Sequence, residues 1–177
     1  MSTLAVITAA WLAADAPWSL QGDLGATLVQ PPVSTSSGWR VGSASMLGVN
    51  FGRRWSTVDA FVRAELDHWS EAREDGSRDG VMTLNVGPGV GVTYAGGHVR
   101  SSLAGGLSLL LEPTDIDSAG STGIFLDLRP VTLRWPLFER TWIGVTPLSL
   151  TVTMPVLTGI PLIELEYRTS IQAERAF

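Results

Sequence analysis

The sequence contains no cysteine and no lysine, and histidine occurs only twice in 177 residues. The lack of cysteine excludes disulfides and thiolate metal sites. Every basic residue is an arginine and the net charge is −5, and no basic run or patch is present, so nucleic acid is a poor candidate partner. Soluble β-proteins commonly place lysine on exposed faces and sheet edges, so its absence removes a usual solubility device.

Long hydrophobic runs are also missing, although hydrophobic residues make up 45% of the chain. Any passage through a membrane must therefore use strands. Residues 1–16 contain the run LAVITAAWLAA followed by Ala14-Asp15-Ala16, a pattern typical of a signal peptide with its cleavage site. No basic residue precedes that run, so an apolar leader or a first strand is the alternative. Residues 17–177 are expected to form one domain.

What the sequence does have is alternation, most clearly from Leu162 to Phe177. Apolar and polar residues take turns throughout this stretch, and Arg175 is the one exception on the apolar face. A period of two sustained this long predicts a β-strand with one apolar and one charged face. Seven further segments alternate in the same way, starting near Trp18, Trp39, Val58, Leu84, Val99, Ile124 and Ile143.

Two of these segments change phase by one residue, near Pro130 and near Pro147. A one-residue slip at a proline predicts a β-bulge. The connections alternate in length: the long ones are Pro31–Gly38, Ser70–Gly80, Glu112–Ser121 and Met154–Pro161, and the short ones are Gly52–Arg54, Ala95–Gly97 and Pro136–Arg140. Long loops at one end and tight turns at the other are typical of bacterial outer-membrane barrels. The sequence therefore predicts an all-β fold, an eight-stranded antiparallel up-and-down transmembrane β-barrel.

A soluble lipocalin has the opposite arrangement, with an apolar cavity and a polar surface, and a carrier of that type is an alternative. Aromatic residues near the segment ends favour the membrane barrel, because girdles at the two interfaces require them there. These residues are Trp18, Trp39, Trp55, Trp69, Tyr94, Trp135, Trp142 and Phe177. The predicted strands also reach the roughly 9–11 residues needed to cross a bilayer.

With these features the chain resembles the small eight-stranded outer-membrane barrels of the OmpA transmembrane domain and OmpX type, over about Trp18 to Phe177. The resemblance implies residence in the outer membrane of a Gram-negative bacterium, in contact with the bilayer and lipopolysaccharide. It also implies that the last strand, with Leu165, Tyr167, Ile171 and Phe177 in phase, is read by the barrel-insertion machinery. No motif of an individual member is matched, so the resemblance implies architecture and location only.

Charged residues on the polar faces are expected to line a narrow lumen and to pair with one another there. Arginine suits such a place, because its guanidinium forks to two carboxylates and keeps its proton. We expect a structural plug of salt bridges, and a gate with rearranged pairs is the alternative. The predicted lumen residues are Asp23, Arg40, Asp59, Arg63, Glu65, Asp67, Arg100, Asp127, Arg129, Arg134, Glu164, Glu166 and Arg168.

A lipid A deacylase or acyltransferase barrel is the enzymatic alternative, and it needs histidine near serine with a carboxylate to orient the ring. His98 has Ser101 and Ser102 close in sequence, and His68 follows Asp67. Neither arrangement matches the His-x-Ser pattern of the deacylases. The sequence therefore predicts a protein without enzymatic activity.

No cofactor and no metal site are predicted. The acidic loop residues, among them Glu112, Asp115 and Asp117, are expected to be solvated, with Ca²⁺ binding as the alternative. The apolar stretch from Pro155 to Pro161 either contacts a partner or lipid or folds over the lumen. The predicted role is structural, or an interaction with a protein partner carried by the outer loops.

Overall fold

The chain forms a closed barrel of eight strands in a computed structural model that describes residues 17–30, 44–72, 78–112, 119–154 and 164–177. Each strand pairs antiparallel with the next, and the last pairs with the first. The predicted fold is confirmed. The strands are β1 Trp18–Gln30, β2 Ala44–Trp55, β3 Val58–Ala72, β4 Arg78–Tyr94, β5 Val99–Leu110, β6 Thr122–Phe138, β7 Thr141–Met154 and β8 Glu164–Ala176.

Both ends of the described chain lie on the side of the short turns. The amide of Trp18 donates to the carbonyl of Phe177 at 3.2 Å, and the amide of Phe177 donates back to Trp18 at 2.9 Å. The turn between β4 and β5 includes a 3-10 segment at Ala95–Gly97, and no described helix is long enough to cross a membrane. Residues 1–16 lie outside the described residues.

The barrel is apolar outside and polar inside. Val86 and Leu107 are 40% and 59% exposed on the outer surface, whereas the inward side chains of Glu65 and Arg168 are 0% and 1% exposed. An alternating strand sorts its residues this way whenever one face is closed into a narrow cylinder. A lipocalin-like carrier would need the reverse arrangement, so the structure contradicts that alternative.

Several predicted boundaries were wrong at the ends of the strands. Gly52–Arg54 was expected to be a turn, but β2 continues to Trp55 and the turn lies at Ser56 and Thr57. Similarly, β6 continues to Phe138, through most of the predicted connection Pro136–Arg140. Arg54 explains the longer β2, because its side chain turns inward and pairs with acidic residues there.

The two predicted bulges coincide with irregular pairing. The register between β6 and β7 shifts between Leu128 and Val131, on either side of Pro130. The register between β7 and β8 shifts between Thr146 and Ser149, which flank Pro147. A proline lacks the amide that the ladder requires, so the strand gains an unpaired residue and changes phase.

Glycines let two strands approach closely on the inner side of β4 and β5. A Cβ atom at Gly87 would collide with the carbonyl oxygen of Gly105, and one at Gly106 would collide with the carbonyl oxygen of Val86. Both obstacles are backbone atoms, which cannot move aside as the end of a side chain can. At Gly89 the space that a Cβ atom would need is taken by the side-chain ring of Phe61.

The variant Gly106→Ala is expected to lower the free energy of unfolding by roughly 1–3 kcal/mol, because the added methyl group forces the backbone apart. Gly22→Ala is the matched control, since a Cβ atom at Gly22 meets nothing within 4 Å. Urea unfolding in detergent micelles, followed by tryptophan fluorescence, measures both. Equal midpoints for the two variants would contradict the close approach.

Candidate functional site

Charged side chains from six of the eight strands, all but β4 and β7 among the described residues, converge on the inside of the barrel. Among the described residues, seven carboxylates face six guanidinium groups, and all but Arg54 are buried. We call this set the lumen network: Asp23, Arg54, Asp59, Arg63, Glu65, Asp67, Arg100, Asp127, Arg129, Arg134, Glu166, Arg168 and Glu174. Threonine, serine and asparagine side chains fill space between them, for example Thr83, Asn85, Ser108 and Thr151.

Arg168 organises the end of the network nearest the long loops. Its Nη2 lies 2.8 Å from Asp67 and 2.7 Å from Glu166, and its Nη1 pairs with Glu65. The Nε atom also donates to Glu166 at 3.0 Å. A planar, permanently charged guanidinium with five donors can serve three carboxylates at once, which a lysine could not do in this geometry.

Arg129 holds the middle of the network and joins three strands across the lumen. It donates to Asp23 on β1 at 2.8 Å, to Glu65 on β3 at 3.0 Å and to Asp127 on its own strand at 3.0 Å. Arg63 pairs with the same Asp127 oxygen. The two guanidinium groups therefore share one carboxylate at the centre of the barrel.

A third group of charges closes the end nearest the short turns. Arg100 forms a two-pronged pair with Asp59, with Nη2 at 2.6 Å and Nε at 3.0 Å. Glu174 lies 2.7 Å from Arg134 and 2.6 Å from Arg54, and Arg54 is 3.5 Å from Asp59. Fork-to-fork pairs of this kind are among the strong ionic hydrogen bonds in proteins.

One amide connects the two ends. Arg100 donates to Gln21 at 2.5 Å, and Gln21 donates to Asp23 at 2.8 Å. Ion pairs and hydrogen bonds together therefore connect Glu174 at the turn side to Arg168 at the loop side.

Aromatic rings lie against three arginines of the lumen network. The guanidinium carbons of Arg63 and Arg100 lie 5.4 Å and 5.1 Å from the ring centre of Phe61. Arg134 lies 4.9 Å from the ring centre of Trp142. Such cation–π contacts are attractive and also exclude water from the ion pairs.

The structure places the sequence-predicted lumen residues as follows. Asp23, Asp59, Arg63, Glu65, Asp67, Arg100, Asp127, Arg129, Arg134, Glu166 and Arg168 are buried inside the barrel. Arg40 lies outside the described residues, and so does the side chain of Glu164. Arg54, Gln21 and Glu174 were missed as members of the network. Arg54 was assigned to a turn, although continuing the alternation from Asn50 would have placed it inward.

The predicted girdle aromatics are divided between the two faces. Trp142 is in the inward register of β7, beside Arg134 and Gly97. Trp39 lies outside the described residues, as does the side chain of Trp69. The others lie on the outer surface near the short turns: Trp18, Trp55, Tyr94, Trp135 and Phe177.

The histidines are not paired with serines in the described part of the chain. His98 Nδ1 lies 3.1 Å from the carbonyl of Arg134, whereas Ser101 donates to the carbonyl of Pro130. Asp67 points into the lumen while His68 is in the outward register, because successive strand residues face opposite ways.

No group of three or more His, Cys, Asp or Glu side chains within the described ranges is arranged to hold a metal ion. The predicted loop positions Asp115 and Asp117 lie outside those ranges.

Comparison with known proteins identifies the fold. No protein-family model and no curated protein matches the sequence. The chain is similar to the crystal structure of Neisserial surface protein A (NspA), with a TM-score of 0.57, 14% identity, and coverage of 90% of this chain and 97% of that chain. It is also similar to Ail, the attachment invasion locus protein of Yersinia pestis, solved with the heparin analogue sucrose octasulfate. For Ail the TM-score is 0.56, the identity is 8%, and 92% of this chain and 99% of that chain are covered.

The fold is therefore that of the small eight-stranded outer-membrane barrels, as the resemblance in the sequence implied.

The variant Arg168→Met is expected to lower the free energy of unfolding by about 3–5 kcal/mol, because it leaves three buried carboxylates without their shared partner. Arg175→Met, on the outer face of the same strand, is the matched control and should cost less than about 1 kcal/mol. Denaturant midpoints in detergent micelles compare the two. If Arg168→Met is as stable as the control, the network does not hold the barrel together.

Proposed function

We propose that this protein is a transmembrane barrel of the outer membrane of a Gram-negative bacterium with a closed lumen. Its function is carried by its outer surface and its loops. The barrel serves either as a structural element of the membrane or as a support for loops that bind a partner. The observation that carries the proposal is the set of buried ion pairs, joined through Gln21, inside a barrel whose outside is apolar.

Location in a membrane is supported by the outer surface. Leucines, valines and isoleucines from all strands face outward, and a soluble protein rarely exposes an apolar area of this extent. The outward aromatics near the short turns fit one interfacial girdle. In a membrane the barrel would contact lipid and lipopolysaccharide. The last strand, with Ile171 and Phe177 exposed outward, would serve as the segment read by the insertion machinery.

Closure of the lumen is supported by how far the network reaches. An eight-stranded barrel is only just wide enough for its own side chains. Arg129 alone bridges β1, β3 and β6, and a side chain held across the lumen in this way favours a closed interior. A buried pair is costly to break, because each charge would then lose both its partner and water.

A role without catalysis is supported by the occupied polar groups. His98 and Ser101 each contact a backbone carbonyl and not each other. The buried carboxylates bind arginines, so none is placed to orient a histidine as a hydrolase requires.

Binding through the loops is supported by their composition. The long connections Ser70–Gly80 and Glu112–Ser121 carry seven acidic residues and two arginines. A surface of this sign favours cationic partners. Ail, which shares the fold, was crystallised with a polyanion, so we propose that the two barrels differ in the charge of what they bind.

Planar-bilayer recording tests the closed lumen. We expect no steady conductance from the wild-type protein, and none from Arg63→Ala, because Arg129 and Arg168 still cross the lumen in that variant. Stepwise openings in the wild type that change in Arg63→Ala would instead indicate a gate built from the same pairs. A heat-dependent gel shift confirms that each sample is a folded barrel.

Sucrose octasulfate is expected not to bind, since the acidic loops repel a polyanion. Isothermal titration calorimetry on the folded barrel in detergent measures this. The variant Asp115→Arg/Asp117→Arg reverses the charge of one loop and should bind more tightly than the wild type. Tight binding by the wild type would show that loop charge does not select the partner.

A further inference from the structure

The outer surface of the strands carries very little charge where its side chains are described, and that charge is concentrated near the short turns. Among strand residues whose side chains are described, Arg53 and Arg175 are the arginine or acidic side chains in the outward register. Both lie near the short turns, on β2 and β8, the two strands that flank β1. An arginine on the apolar face of a membrane barrel is unfavourable unless its charge meets water or a headgroup.

The two arginines are in different situations. Arg53 is buried and lies over the ring of Trp18 at 4.9 Å, and that ring stacks on Phe51 at 4.9 Å. Arg175 is exposed and forms no ion pair within the described ranges. The neighbouring Glu174 points into the lumen and is occupied by Arg134 and Arg54. Arg175 is therefore an available cation at the edge of the apolar surface.

An apolar groove of about 520 Å³ lies on the same face, and its lining includes Ala173, the outward residue of β8 that precedes Arg175. It exists because Gly22 and Ala173 stand opposite each other on β1 and β8, so the sheet has almost no side chain there. A Cβ atom at Gly22 would meet nothing within 4 Å. The walls are formed by larger apolar residues on either side: Leu24, Leu47, Val49, Trp135, Ile143 and Ile171.

The register fixes how the groove and the cation are placed relative to each other. Arg175 is the next outward residue after Ala173 on β8, about 7 Å closer to the short turns. It stands opposite Leu20 on one side and Thr141 on the other. Arg140, exposed in the β6–β7 turn, accepts a hydrogen bond through its carbonyl from Ala176 at 2.8 Å. A long apolar slot thus ends at one arginine, with a second beside it.

We propose that this face binds one anionic glycerophospholipid from the leaflet next to the short turns, an inference that rests on the membrane location proposed above. An acyl chain lies in the groove over Gly22 and Ala173, and the phosphate meets the guanidinium of Arg175. Arginine matches phosphate oxygens with two donors, and an anionic headgroup keeps a net negative charge after that contact.

A second groove on the other side of the barrel offers a comparison without a charged residue in its lining. It measures about 320 Å³ and is lined by Val62, Pro88, Val90, Leu103 and Leu126, among others. Among the described residues, no arginine or acidic side chain in the outward register lines it. That groove fits any acyl chain without regard to headgroup, so it serves as an internal comparison.

Native mass spectrometry of the folded barrel in detergent tests the site with two lipids that share their acyl chains. Dioleoylphosphatidylglycerol is anionic, and dioleoylphosphatidylcholine is zwitterionic. We expect the wild type to retain one phosphatidylglycerol in roughly tenfold preference, because both lipids offer the phosphate but the quaternary ammonium of phosphatidylcholine offsets its charge next to the arginine. Arg175→Gln should abolish the preference, and Arg175→Lys should keep most of it.

The groove is tested separately by filling it. Gly22→Leu should reduce retention of both lipids, whereas Val62→Leu in the comparison groove should leave the phosphatidylglycerol adduct unchanged. Equal retention of the two lipids, an unchanged preference in Arg175→Gln, or a lipid-free dimer covering this face would overturn the proposal.

Insertion of the same samples into vesicles separates this inference from the membrane assignment. A wild type that inserts but holds both lipids equally overturns the lipid site alone. A wild type that does not insert overturns both.

Discussion

Charges inside a closed eight-stranded barrel must find partners among one another, and the rest of this structure follows from that requirement. The cylinder is too narrow for bulk water to solvate them. Arg129 and Arg168 meet it by each contacting three carboxylates. An ammonium group on a flexible stem lacks the planar fork that makes such sharing possible. The absence of lysine from the whole chain agrees with the use of arginine for these shared ion pairs.

Once the polar residues are committed to the inside, the apolar residues have only the outside left. Because successive residues of a strand point to opposite faces, placing the polar residues inside also places the apolar residues outside. Small residues then adjust the shape of the wall: Gly87 and Gly106 let β4 and β5 approach inside, and Gly22 opens a groove outside. Glycine thus allows close packing of two strands on the inner face and leaves an open groove on the outer face.

The closed lumen proposed here leaves the outer surfaces as the place of function. In this chain those are the acidic long loops and the apolar wall with its arginine edge at Arg175. The barrel itself then acts as a rigid support, held by ion pairs that are costly to separate. Similar barrels such as NspA and Ail share the fold at 14% and 8% identity, which is expected if the fold depends on alternation and pairing and not on particular residues.

The sequence by itself determined the strand number, the antiparallel order, the bulges at Pro130 and Pro147 and the sorting of residues between two faces. These follow from local periodicity and from proline chemistry, which need no knowledge of distant residues. Only the tertiary structure decided which charges meet, because Gln21 and Asp23 on the first strand, Arg100 on the fifth and Arg129 on the sixth become neighbours only when the barrel closes. The same closure brought Arg54 beside Glu174 and Trp142 beside Arg134, and it set Gly22 beside Ala173 across the seam between the first and last strands.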